Sequence, residues 1–227
     1  MARKLRVGFV GLGRVFDLKV RGYLDHPEAE VSALCDADLA ILARRAAEHP
    51  DVLATRDFQD LLRLDLDLIE NLTPHPLHEA MTAAALASGS HVSVQKPMAM
   101  TLPECDRMIE AAAASGKRLK VFENFVFYPP LVRARGLLRE GSDRQAAAFR
   151  MKVMVAGRAQ AWHVPDAASR WRHALAAEGR GGPMVFDHGH HIMAVELWLF
   201  GDVRDGFACI ERTETPVGVY DAPASLI

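Results

Sequence analysis

The stretch Leu5-Arg6-Val7-Gly8-Phe9-Val10-Gly11-Leu12-Gly13-Arg14-Val15-Phe16 decides the fold. Residues 5–11 form a short apolar run that reads as a strand, and Gly11 and Gly13 mark a sharp turn into a helix. Such a turn lets backbone approach a pyrophosphate, while the helix N-terminus offers free N–H groups and the positive end of its dipole. The third fingerprint position, where a small residue brings helix and strand together, holds Phe16. A glycine turn without a ligand is the plainer reading of these residues taken alone. Asp36, twenty residues past Phe16 and ending the next apolar run, adds a second signal. A carboxylate there can accept both hydroxyls of an adenosine ribose and repels a 2′-phosphate, so NAD is expected and NADP disfavoured. Asp36-Ala37-Asp38 is also ordinary turn chemistry.

Outward from this turn, short apolar runs at residues 31–35, 66–72, 91–94 and 118–122 alternate with helical patterns. With the first run they predict four or five buried parallel strands in a doubly wound Rossmann-type α/β sheet with right-handed crossovers. Thr101 and Glu104 form a capping box before a helix that stops at Gly116, and a helix over 77–88 stops at Gly89. The pattern changes after Glu123. A helix over 131–139, a long strand over 147–155 and a loop-like region holding Trp162, Trp171 and Gly179 to Pro183 follow. A helix over 187–200 and a last strand over 206–213 complete the reading. The expected division is a dinucleotide-binding domain over 1–123 and an α+β substrate or dimerisation domain with an open, largely antiparallel sheet over 124–227.

The 27 Lys and Arg against 29 Asp and Glu leave a net charge of −2, with no long run of either sign, which argues against nucleic acid or a membrane surface as partner. Cys35, Cys105 and Cys209 are scattered and show no C-x-x-C spacing, so they are expected to be reduced. The basic-then-apolar start imitates a signal peptide, but Arg14 returns charge and no cleavage site follows. No stretch reaches the roughly 18 apolar residues of a membrane span, and a cytoplasmic protein is expected.

Thr73-Pro74-His75-Pro76-Leu77-His78 and Val94-Gln95-Lys96-Pro97 follow two predicted strands, at the carboxyl ends where open α/β sheets bind ligands. With Gly11, Gly13 and Asp36 they resemble the Gfo/Idh/MocA family of nicotinamide-dependent oxidoreductases, which carry Glu-Lys-Pro where this chain has Gln95-Lys96-Pro97. Gly181-Gly182-Pro183 with Asp187-His188-Gly189-His190-His191 resembles the family's second signature, a glycine run followed by Asp-x-Gly-x-His. The resemblance implies NAD contacts from Gly11, Gly13, Arg14, Val15, Asp36, Thr73, Pro74, His75, His78, Gln95 and Lys96. It implies a cis Lys96–Pro97 bond and a catalytic Lys96 on the reacting hydroxyl, where NAD's positive ring would lower an ammonium's pKa. It makes His191 the general acid or base and Asp187 a substrate contact or the imidazole's partner. Asn124, Tyr128, Trp171 and Arg172 would face substrate, Arg172 as a clamp for a carboxylate or phosphate.

Gln95 cannot supply the charge of the family's glutamate, Val126 stands where many members carry arginine, and Pro183 and Ala194 depart from the second signature. Without the family, Lys96 is a surface lysine and Trp171 a core anchor. His188 and His191 could share a metal with Asp187, but no metal is expected. The resemblance implies an oxidoreductase acting on a secondary alcohol of a sugar, cyclitol or related polyol, and a homo-oligomer. It also leaves open an elimination or glycoside cleavage driven by transient oxidation, and a non-catalytic nucleotide-binding chain. Family members continue with further strands, so the second domain is expected to be incomplete.

Overall fold

The structure is a computed structural model that describes residues 3–141, 166–182, 185–215, 218–220 and 224–226. The expected strand over 147–155, with Phe149, Met151, Val153 and Val155, lies outside these residues, as do Trp162 and Pro183. The chain divides into two compact units, Met1–Phe122 and Glu123–Ile227.

The first unit is the expected doubly wound sheet, with six parallel strands in the order β3-β2-β1-β4-β5-β6. These are β1 (Leu5–Val10), β2 (Ala29–Cys35), β3 (Leu53–Thr55), β4 (Leu68–Asn71), β5 (His91–Gln95) and β6 (Leu119–Phe122). The helices are α1 (Arg14–Leu24), α2 (Leu39–Glu48), α3 (Phe58–Leu62), α4 (His78–Ala87) and α5 (Leu102–Ser115). The count exceeds the expected four or five because β3 is only three residues long, and the apolar Val52-Leu53-Ala54 is too brief to mark a strand.

Alternation along β1 sends its side chains to two cores, as a strand buried on both faces requires. Val7 and Phe9 join Leu12, Phe16 and Val20 of the first crossover and Leu42 of α2. Val10 joins Ile69, Val92, Leu86 and Met108 on the other side. Each fully buried side chain of this size contributes about 1.5–3 kcal/mol, so these two layers supply most of what holds the sheet.

Local chemistry sets the helix ends. Asp38 accepts the amides of Ala40 and Ile41 to start α2. Thr101 and Glu104 cap α5 reciprocally, and Gly116 ends it with φ of 65°. The expected helix over 77–88 is α4, preceded by a 3-10 turn at His75–Leu77.

The second unit holds α6 (Pro129–Glu140), α7 (Asp166–Ala177) and α8 (His190–Phe200). Trp171 lies within α7, which corrects the loop reading: the glycines that signalled a loop begin only at Gly179. A π-helical turn at Val185–Gly189 leads into α8, so the helix expected from 187 starts three residues later. The single last strand is two, β7 (Ala208–Ile210) and β8 (Thr213–Thr215). β7 pairs antiparallel with β10 (Ala224–Leu226), and β8 with β9 (Gly218–Tyr220). None of the described helices is long and apolar enough to cross a membrane.

Candidate functional site

Gly11 has φ of 86°, and a Cβ there would stand 2.7 Å from the Leu72 carbonyl carbon and 2.8 Å from the Thr73 nitrogen. Only glycine lets the turn after β1 press against the loop after β4. Gly13 serves differently: a Cβ would meet nothing within 4 Å, and as the N-cap of α1 it offers no side-chain cap. The exposed surface beside Gly13 and Arg14 therefore fronts an uncapped helix start, which suits a pyrophosphate. Asp36 reaches the same turn, its Oδ2 accepting the Leu12 amide at 2.7 Å and its Oδ1 the Asp38 amide at 2.9 Å. Phe16 is fully buried, edge-on to Phe9 at 5.2 Å, with the Arg45 guanidinium 4.8 Å from its centroid. Arg45, itself buried, donates to the Leu12 carbonyl at 3.2 Å and braces the turn from behind.

The loops after β4 and β5 are joined by His78. Its Nδ1 lies 2.8 Å from the Pro97 carbonyl and its Nε2 2.8 Å from that of Thr73. The ring is fully buried and ties the Thr73 and Pro97 carbonyls together. Burial, helped by the nearby Lys96 charge, moves its pKa below the ordinary imidazole value, against the pull of the carbonyls. Thr73 hydrogen-bonds Asn71 Oδ1 at 2.6 Å, and His75 is buried with its ring 5.5 Å from that of His78. Pro74 caps the 3-10 turn and is exposed. Gln95 Oε1 accepts the Lys96 amide at 2.9 Å, and the Lys96–Pro97 peptide is cis.

In the second unit, His191 and Asp187 are both buried, but they have separate partners. Arg172 Nε donates to Asp187 Oδ2 at 2.8 Å, and its guanidinium lies over the Trp171 ring at 4.2 Å. His191 Nδ1 lies 2.7 Å from both oxygens of Glu123. Asp187 lies in the π turn and His191 in the first turn of α8. The side-chain partner of Asp187 is thus Arg172, and that of His191 is Glu123. Burial opposes ionisation of Glu123, but His190, His191 and the Phe125 amide outweigh it and hold its carboxyl well below the usual range. Asn124 and Tyr128 are exposed, beside the 3-10 turn at Phe125–Phe127.

A family profile described as an oxidoreductase family with an NAD-binding Rossmann fold, Gfo/Idh/MocA, matches residues 5–123. The chain belongs to the Gfo/Idh/MocA family. A 1-carboxy-3-chloro-3,4-dihydroxycyclohexa-1,5-diene dehydrogenase of Comamonas testosteroni is 35% identical over 138 residues, 60% of this chain and 35% of that protein. D-apiose dehydrogenase of Paraburkholderia graminis is 27% identical over 226 residues, 99% of this chain and 57% of that one. The WlbA dehydrogenase of Bordetella pertussis, solved with NADH and UDP-GlcNAcA, superposes with a TM-score of 0.76 at 23% identity, over 93% of this chain and 59% of that one. Each match therefore spans less than two thirds of the relative's own length.

For this Gfo/Idh/MocA chain, the residue missed by sequence reasoning is Glu123. It follows β6 directly and meets a histidine 68 positions away, so no local spacing announces the pair. Arg45 was missed for a similar reason, being one of two adjacent arginines on an ordinary amphipathic helix.

Proposed function

We propose that the protein transfers a hydride between NAD and a secondary alcohol of a sugar, cyclitol or related polyol. The observation that carries this reading is the open, uncapped start of α1 at Gly13 with the Asp36 carboxylate beside the same turn. NAD, when bound, supplies the carbon that accepts the hydride. Gly11 and Gly13 admit the pyrophosphate, the amides of Arg14 and Val15 bind it, and Asp36 takes the ribose hydroxyls and turns away a 2′-phosphate.

Loss of hydride from a carbinol carbon requires loss of the hydroxyl proton, and two side chains of this chain are suited to receive it. Lys96 stands after β5, its loop held by Gln95 and by His78 through Pro97. His191 turns Nδ1 to Glu123, which leaves its lone pair on Nε2 and places a carboxylate to stabilise the imidazolium. Relatives named as dehydrogenases of a cyclohexadiene diol and of a sugar support the substrate class.

The test is a calorimetric titration of cofactor-free protein with NAD and NADP, followed by a polyol screen for NADH. NAD binding well ahead of NADP, NADH formed with a polyol, and turnover abolished in Lys96→Met with NAD binding retained are the expected results. Binding of neither nucleotide, or unchanged turnover in Lys96→Met, overturns the reading. A polyol consumed without accumulation of NADH would point to transient oxidation instead.

A further inference from the structure

We propose that Glu123, His190 and His191 form a site for one divalent first-row transition-metal ion. Each offers one ligand atom, and these atoms lie within 4.8 Å of one another. Glu123 Oε2 is 2.7 Å from His191 Nδ1 and 3.2 Å from His190 Nε2. Bonds of about 2.0–2.2 Å to a tetrahedral ion set donor atoms roughly 3.3 Å apart, so small side-chain adjustments bring all three onto one ion.

His190 gives the second observation. Both its ring nitrogens are shielded from solvent, and neither has a hydrogen-bond partner among the described residues. Its Nε2 lies 3.2 Å from Glu123 Oε2, within ion-pair range but outside hydrogen-bond geometry, and Nδ1 has no hydrogen-bond partner among the described residues. A buried polar atom left in this state is destabilising, and coordination through the Nε2 lone pair relieves it at that nitrogen. Consecutive residues of a regular helix point about 100° apart, yet these two rings lie 4.0 Å apart and both reach Glu123. They sit where the π turn at Val185–Gly189 passes into α8, and such bulges recur at functional sites.

Two imidazoles and one carboxylate select Zn²⁺, Co²⁺, Fe²⁺ or Mn²⁺ over Mg²⁺, which prefers oxygen donors. Three protein ligands leave a coordination position for water or a substrate oxygen, as catalytic rather than structural sites do. Metal binding stands independently of hydride transfer. On the oxidoreductase reading it makes His191 a ligand and leaves Lys96 to take the hydroxyl proton.

The experiment is titration of tag-free, chelator-stripped protein with Co²⁺, read by calorimetry and visible absorption, with NAD titrated in parallel. One Co²⁺ per chain, displaced by Zn²⁺ and not by Mg²⁺, is the expected result. His190→Gln and Glu123→Gln should each weaken Co²⁺ binding at least tenfold with NAD binding unchanged, while His188→Ala, outside the set, should not. No stoichiometric Co²⁺ on the wild-type chain, or equal losses from His188→Ala and His190→Gln, would overturn the site. Because NAD is read on the same samples, failure of the nucleotide reading shows separately.

Discussion

Asp36 accepts the amide proton of Leu12 at 2.7 Å, so the carboxylate expected to read the ribose also ties the end of β2 to the glycine turn after β1. The two roles separate by substitution. Asp36→Asn keeps an oxygen acceptor for Leu12 and removes the charge, so the ratio of NADP to NAD affinity should rise about tenfold or more, or about 1.4 kcal/mol. Asp36→Ala loses the acceptor as well and should cost a further 1.5–3 kcal/mol or so of stability. Calorimetry with both nucleotides and denaturant unfolding check the pair, and an unchanged nucleotide ratio in Asp36→Asn would remove Asp36 from the cofactor site.

The two glycines of that turn should fail in different ways. Gly11→Ala forces a Cβ within 2.8 Å of the Leu72 and Thr73 backbone at a positive φ, so it should unfold the protein more easily and lose NAD together. Gly13→Ala meets open space and should leave the thermal midpoint nearly unchanged while weakening NAD at least tenfold. Equal NAD affinity in Gly13→Ala would mean that no phosphate passes that point.

His78 predicts a pH dependence. Only an imidazolium could donate to both the Thr73 and Pro97 carbonyls, but burial and the Lys96 charge lower the native pKa. The unfolded chain titrates near about 6.5, so below that pH it takes up a proton that the native state resists. Stability from His78 is therefore full above about pH 6.5 and falls as pH drops toward the lower native value. Denaturant melts at pH 7.5 and 5.5 should show this loss, and His78→Gln should be less stable at pH 7.5 but flatter between the two.

Lys19 and Glu70 form a buried pair on the sheet, with Nζ 3.1 Å from Oε1 and Tyr23 donating to the same oxygen. They border a cavity of 290 Å³ that Ser93 and Phe122 also line. Lys19→Met takes the ammonium away from the buried Glu70 and should cost about 3–5 kcal/mol. Adding Glu70→Gln should recover much of that, since no buried charge then remains. Urea melts of the single and double variants measure the coupling, and additive losses would show that the pair is not an energetic unit.

The parts legible in the sequence were those with local causes. The apolar runs marked five of the six strands of the first sheet, and Thr101, Glu104 and Gly116 set the ends of α5 by their own chemistry. The glycine turn and Asp36 could be placed together because strand order brings β1 and β2 side by side. What escaped depended on distant partners or on helix type. β3 has only the brief apolar Val52-Leu53-Ala54 to mark it, and Glu123 acquires its partner from His191, 68 positions away. The π turn at Val185–Gly189 follows a glycine run that signals a break in the chain but not the type of helix that comes after it.

Phe16 fills a position that sequence fingerprints reserve for the smallest residues, and it does so by becoming part of the core. The requirement there is one of volume: an aromatic ring is accepted once Phe9 and Arg45 leave it a slot. Screens that insist on glycine or alanine at this point would discard such chains. Searches built on the first two glycines and the strand-end carboxylate would keep them.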